Sequence, residues 1–247
     1  MKTPASTLVR LSAVAAVGVL ALSACSSTSG TASASSAVSA KAASSSSVSA
    51  ESGTVIAPPT AAEALAANAK ASYVEDSAWD ASSAQTITLN GSSASTSASG
   101  VKVDGSTVTI TQAGVYKLSG TLNGQVKVEA GTDAQVVLIL DGATITNSSG
   151  SAINVVSADD VVLSLNGSNT VTDGTPSDTN AEDNAAIYSD ADLTITGSGS
   201  LTVNANYNDG ITSKDDLYIL SGNITVTSKD DALRGKDSLT VAGGTIK

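Results

Sequence analysis

Ala186-Ile-Tyr-Ser-Asp-Ala-Asp-Leu-Thr-Ile195, Gly210-Ile-Thr-Ser-Lys-Asp-Asp-Leu-Tyr-Ile219 and Ala232-Leu-Arg-Gly-Lys-Asp-Ser-Leu-Thr-Val241 align without a gap. Leu193 and Leu217 are 24 residues apart, and Leu217 and Leu239 are 22 apart. Each unit holds short runs in which apolar and polar residues alternate, joined by Gly, Asn and Asp. A unit this small cannot bury its own apolar face and must stack on copies of itself. The expected fold is therefore all-β, a right-handed parallel β-helix (a solenoid) of about 22–24 residues per coil. The right hand is the general preference of parallel strand connections. An irregular β-sandwich is the alternative, and the constant unit length argues against it.

The pattern extends outward on both sides. Upstream, period-two runs at Thr86–Leu89, Val101–Val103, Thr107–Ile110, Val115–Leu118, Gln125–Val128, Val136–Leu140 and Ala143–Thr146 read as strands. Ile153, Val161–Leu165 and Thr170–Thr172 make a further unit. The step from Ile153 to Ile187 is 34 residues, and the excess falls in a polar insertion from Asp173 to Asn184, expected as a surface loop. Ile187, Leu193, Ile195, Leu201, Ile211, Leu217, Ile219, Ile224, Leu233, Leu239 and Val241 are expected to point inward. Gly243–Lys247 matches Ser221–Thr225 with nothing to cap it, so further coils are expected beyond Lys247.

The N-terminus reads as a processing signal. Lys2 and Arg10 precede an apolar stretch, Leu11–Leu22, of 12 residues, too short to span a bilayer comfortably. It ends in Leu22-Ser23-Ala24-Cys25, which resembles the bacterial lipobox. The expected organisation is a lipoprotein signal peptide over 1–24, a Ser/Ala/Thr-rich disordered tether over 25–72 and the β-domain over 73–247. Ala61–Ala71 leaves a short helix and a weakly ordered spacer both open. Cys25 is the expected lipidation site, and the localisation that follows is the extracytoplasmic face of the cell membrane. Two acyl chains give stable anchoring where one does not.

Charge and composition exclude several functions. With 12 basic and 23 acidic residues the net charge is −11, which argues against nucleic acid and against adhesion to anionic lipid. Histidine is absent, which removes histidine triads, histidine bases and histidine-ligated zinc. Cys25 is the one cysteine, so no intrachain disulfide can form. Phe is absent and Trp79 is the single tryptophan, so the core must come from Val, Ile, Leu and Ala.

Stacked repeats turn recurring acids into columns. Aligned on Ile187, Ile211 and Leu233, the columns read Asn184/Asn208/Asp230, Ala185/Asp209/Asp231, Asp190/Lys214/Lys236, Ala191/Asp215/Asp237 and Asp192/Asp216/Ser238. Carboxylates about 4.8 Å apart on neighbouring strands repel, and a divalent cation would reverse that penalty. Calcium takes 6–8 oxygen ligands of the types offered here. The candidate calcium ligands are Asn208, Asp209, Asp230 and Asp231, or Asp215, Asp216 and Asp237 together with Asp192. Turn formation by Asp and Asn, with Lys214 and Lys236 as neutralising partners, explains the same residues without metal, and both readings stay open.

Gly114–Leu122, Asn184–Tyr188, Gly197–Ala205, Asn208–Ile211, Ser213–Leu217 and Arg234–Ser238 together resemble the bacterial carbohydrate-binding β-helix lipoproteins. The resemblance runs over Val74–Lys247. It implies a fold similar to pectate lyases, bound calcium and affinity for acidic polysaccharide such as polygalacturonate. The chain departs where Asp231-Ala232 replaces an Asp-Gly. The expected role is non-catalytic, calcium-assisted binding of acidic polysaccharide, with Lys214, Arg234 and Lys236 pairing with uronates and Tyr207, Tyr188 or Tyr218 offering stacking faces. A calcium-dependent lyase with Lys214 or Lys236 as base is one alternative, although neither lysine stands in an asymmetric cluster. A surface adhesin or spacer is the other.

Overall fold

The computed structural model describes Thr60, Ala62 and residues 71–179 and 182–247, all within the unit Ile56–Lys247. The proposed signal peptide, Cys25 and most of the proposed tether, including most of Ala61–Ala71, lie outside the described residues. No described helix is long and apolar enough to cross a membrane.

From residue 71 onward the described chain is all-β apart from two 3-10 turns, Asp76–Ala78 and Ala81–Ser83. Its strands are β1 (Gln85–Gly91), β2 (Ala94–Thr96), β3 (Val101–Asp104), β4 (Thr107–Ile110), β5 (Gly114–Asn123), β6 (Gln125–Glu129), β7 (Gln135–Thr146), β8 (Ile153–Ser157), β9 (Asp160–Asn166) and β10 (Ser168–Thr172). The second half continues with β11 (Ala185–Ser189), β12 (Asp192–Gly197), β13 (Ser200–Asn204), β14 (Asp209–Ser213), β15 (Asp216–Ile219), β16 (Asn223–Thr227), β17 (Leu233–Gly235), β18 (Ser238–Val241) and β19 (Thr245–Ile246).

The uniform right-handed β-helix expected from the repeat is corrected by this arrangement. The strands form two sheets. The seven-stranded sheet has the order β17-β14-β11-β8-β6-β4-β3, and the twelve-stranded sheet runs β18-β15-β12-β9-β7-β10-β13-β16-β19 with β1, β2 and β5 attached. The larger sheet curls at β7, whose first half pairs with β9 and second half with β10. The expectation projected the late, even repeats back over a first half built differently. There β1–β2 and β3–β4 are antiparallel, and β5 and β7 pass without a break through points where a coil would turn. Gly120 and Gly142 make that passage possible at φ +97° and +65°, a region that side chains disfavour. The runs 136–140 and 143–146, read as two strands, are one.

The main core lies inside the curl. Val136, Val161, Leu193 and Leu217 are buried register partners on β7, β9, β12 and β15, with the partly buried Leu239 following on β18. Of the eleven residues expected inward, Val241 departs. It is 51% exposed, on the outermost strand of its sheet. A second, smaller cluster of Val74, Val115, Val137, Ile139 and Val162 sits on the opposite face of the large sheet, with Trp79 and Ala84 packed on it. This explains why Val136–Leu140 is buried on both faces.

Candidate functional site

β11, β14 and β17 are parallel neighbours in the small sheet. Alternation sends Ile187, Ile211 and Leu233 inward and leaves Tyr188, Thr212 and Arg234, which share a register row, on the other side. One step past the strands, the Lys214 amide donates to the Ser189 carbonyl at 2.8 Å and the Lys236 amide to the Ser213 carbonyl at 3.0 Å. These bonds bring the two lysines to equivalent places on successive strands. Lys214, Arg234 and Lys236 line one groove of about 230 Å³ with Tyr188, Thr212 and Glu182. Three of the four ligand-contacting residues expected from the sequence therefore converge. Tyr207 is not among them; its hydroxyl donates to the Thr179 carbonyl at 3.2 Å, tying down the insertion.

That insertion is more than a solvated loop. Asp173 is 4% exposed, and its carboxylate and carbonyl accept from the Asn206 amide and side chain. Asn154 Nδ2 donates to Asp183 Oδ2 at 2.9 Å. Glu182 forms an ion pair with Lys214, which also meets Asp190 Oδ1 at 3.2 Å. Glu182 first and Asp190 second raise the Lys214 pKa above the ordinary lysine value, while Lys214 lowers that of Glu182. Burial, reinforced by Asp190, pushes the Tyr188 hydroxyl up to about 12; that hydroxyl donates to Asp190 Oδ1 at 3.1 Å.

The carboxylate columns are where the alignment puts them, and the carboxylates of Asp209, Asp216 and Asp192 accept hydrogen bonds from protein donors. Asp209 is fully buried and accepts from Asn208 Nδ2 at 2.9 Å, Thr212 Oγ1 at 3.2 Å and the Asp231 amide at 3.3 Å, with Arg234 at 3.5 Å. Asp230 and Asp231 are exposed. Asp216 accepts from the Ser72 amide at 2.7 Å and Ser238 Oγ at 2.5 Å, and its own amide donates to Asp192 Oδ1 at 3.0 Å. The Asp237 amide donates to the Asp215 carbonyl at 3.2 Å. Burial first, then neighbouring acids, raises the pKa of Asp160 and Asp215 above the usual carboxylate range; burial also raises that of Asp192. Among the described residues no group of three acidic side chains stands close enough to hold a metal ion through carboxylates alone.

The sequence offers Glu182 only as a possible added ligand in an insertion read as a solvated loop, and its ion pair with Lys214 has no signal in the repeat alignment. Tyr188 was visible as a stacking candidate and its register with Arg234 was in the alignment, but Tyr207 was chosen for the site.

An all-β scaffold with a cation-lined groove on one sheet fits a protein that holds a ligand on its surface. Residues 104–247 match the family described as carbohydrate-binding domain-containing protein, and the chain belongs to that family. A carbohydrate-binding domain-containing protein of Acetivibrio thermocellus is 44% identical over 136 residues, 51% of this chain and 47% of the relative. The chain thus spans about half the length of the curated relative it matches. The solved structure of the polysaccharide lyase-like protein from C. thermocellum, a gadolinium derivative, is similar with a TM-score of 0.63 and 38% identity, covering 66% of this chain and 69% of that one.

Proposed function

We propose that the groove beside β11, β14 and β17 binds the carboxylates of an acidic, polygalacturonate-like polysaccharide without cleaving it. The observation that carries this reading is the gathering of Lys214, Arg234 and Lys236 in one groove of a chain with net charge −11. Membership of a carbohydrate-binding family supports a sugar polymer as the ligand. Arg234 is held by buried Asp209 yet keeps 46% of its side chain exposed, leaving guanidinium donors free for a planar carboxylate.

The lyase-like neighbour favours a second reading, β-elimination with a lysine base. A base must lose its proton near the working pH, and Glu182 and Asp190 move Lys214 the opposite way. Calcium enters the proposal through the crowding of Asp192, Asp215 and Asp237 across two adjacent columns, where burial first, then the charges of Asp192 and Asp237, raise Asp215. The polysaccharide contact itself is assigned to the cations alone.

Retention on immobilised polygalacturonate tests the reading. Lys214→Ala combined with Lys236→Ala is expected to weaken retention at least tenfold, about 1.4 kcal/mol, with an unchanged circular-dichroism spectrum. Equal retention would remove the groove as the site. Release of ultraviolet-absorbing unsaturated sugar by the unaltered chain would replace binding with cleavage.

A further inference from the structure

The other sheet carries a separate cleft of about 390 Å³. Its floor is a register row in which Lys117 of β5 pairs with Ile139 of β7, and Ile139 with Ser164 of β9. Two residues along, Asp141 pairs with Asn166. Trp79, the one tryptophan of the chain, also lines the cleft.

A strap of chain fixes the position of that tryptophan. The Ser72 amide donates to Asp216 Oδ2, the Val74 amide to Thr194 Oγ1 at 3.1 Å, and Thr196 Oγ1 to Asp76 Oδ2 at 3.1 Å. Tyr73 stacks on Tyr218, with ring centroids 4.2 Å apart and planes 18° from parallel. Trp79 then packs on the small apolar cluster that includes Val137 and Ile139. Its conformational entropy is already spent on folding, so a ligand meeting it has less ordering to do. The indole Nε1 is buried and meets no acceptor among the described residues, an uncommon state for a buried donor.

The polar groups of the cleft balance in charge. Asp141 Oδ1 accepts from Asn166 Nδ2 at 2.7 Å, and Oδ2 pairs with Lys117 Nζ at 3.5 Å. Lys117 and Asp141 remain 42% and 33% exposed, so both still face solvent. An indole and a chain of paired donors and acceptors with no net charge suit one chemistry. A pyranose has an apolar C–H face and a rim of hydroxyls that both donate and accept. A uronate would bring its carboxylate against Asp141 at a desolvation cost that the already paired Lys117 does little to offset.

We propose that the cleft formed by Trp79, β5, β7 and β9 is a second carbohydrate subsite, selective for uncharged sugar residues and independent of the cationic groove. Trp79 lies outside residues 104–247, which match the family, so this subsite draws on a segment beyond the matched region.

Because Trp79 is alone, the intrinsic tryptophan emission of the full chain reports on this cleft only. Titration with cellohexaose and xylohexaose is expected to give a saturable change in emission for at least one of them at millimolar concentration, and trigalacturonate none. Asp141→Ala should weaken that response at least tenfold with unchanged far-ultraviolet circular dichroism, and Asn166→Ala supplies the same test if the first variant folds poorly. The Lys214→Ala/Lys236→Ala protein should respond as the parent does, which separates this subsite from the polyuronate groove. Absence of a saturable change with both neutral hexasaccharides, an undiminished response in folded Asp141→Ala, or a response to trigalacturonate alone would each overturn the proposal.

Discussion

At Lys214 two carboxylates share one ammonium. Asp190 belongs to the sheet, on the turn after β11, whereas Glu182 reaches in from the insertion with 74% of its side chain exposed. A uronate entering the groove would compete with Glu182 for the same Nζ. An ion pair this exposed is screened by solvent and weak, so Glu182→Gln is expected to raise affinity for polygalacturonate only modestly, by up to about fivefold. Calorimetric titration would measure it, and an unchanged or lower affinity would mean that Glu182 does not guard the groove. The contrast with Lys214 is informative about sequence reading. Lys214, Arg234 and Lys236 stand in repeating positions, so alignment alone placed them on adjacent strands. Glu182 acts through an irregular insertion, and only the folded chain shows what it meets.

At the scale of strands, the acids that begin β9 and β12 and precede β15 act against the ladder they belong to. Asp160, Asp192 and Asp215 all have pKa values raised above 3.8, with burial the largest cause. Asp173 shifts the same way, also through burial, whereas Glu182 and Asp80 shift downward. For a raised acid, the native state holds more protons than the unfolded chain between the ordinary and the raised value. Stability is therefore lost as pH rises through that acid window, and the exposed Glu182 and Asp80 act in the opposite direction. Asp192→Asn keeps an oxygen for the Asp216 amide and removes one charge. It is expected to raise stability at neutral pH by about 0.2–1 kcal/mol, the range of a cross-strand charge pair, and to flatten the acid slope in urea unfolding. Calcium should raise the melting temperature of the parent protein more than that of the variant. No calcium response in either returns the row to plain turn formation. Most strands were legible from period-two alternation. β2 was missed because Ala94–Thr96 offers no bulky apolar residue, and the later part of β5 because Gly120 looked like a turn. The solenoid inference failed because an even repeat in one half of a chain does not constrain the pairing of the other.

Across the molecule, stability rests on columns that run through many strands. Leu217 has Leu193 on one side and Leu239 on the other, in register, and is fully buried. Leu239 lies on β18, outermost in the sheet order, and is only partly buried against the same core. Cutting each to Ala removes the same atoms, but the resulting voids differ. Inside the column the neighbours are fixed from both sides and cannot collapse, so Leu217→Ala should cost about 2–5 kcal/mol. At the edge, part of the leucine already faces water, so less transfer free energy is lost and less of a closed cavity forms. Leu239→Ala should cost clearly less. Urea unfolding of both variants decides the matter, read at the midpoint with equal m-values. If Leu239→Ala proves as costly as Leu217→Ala, further structure covers β18 in solution and the edge assigned to this sheet is not an edge.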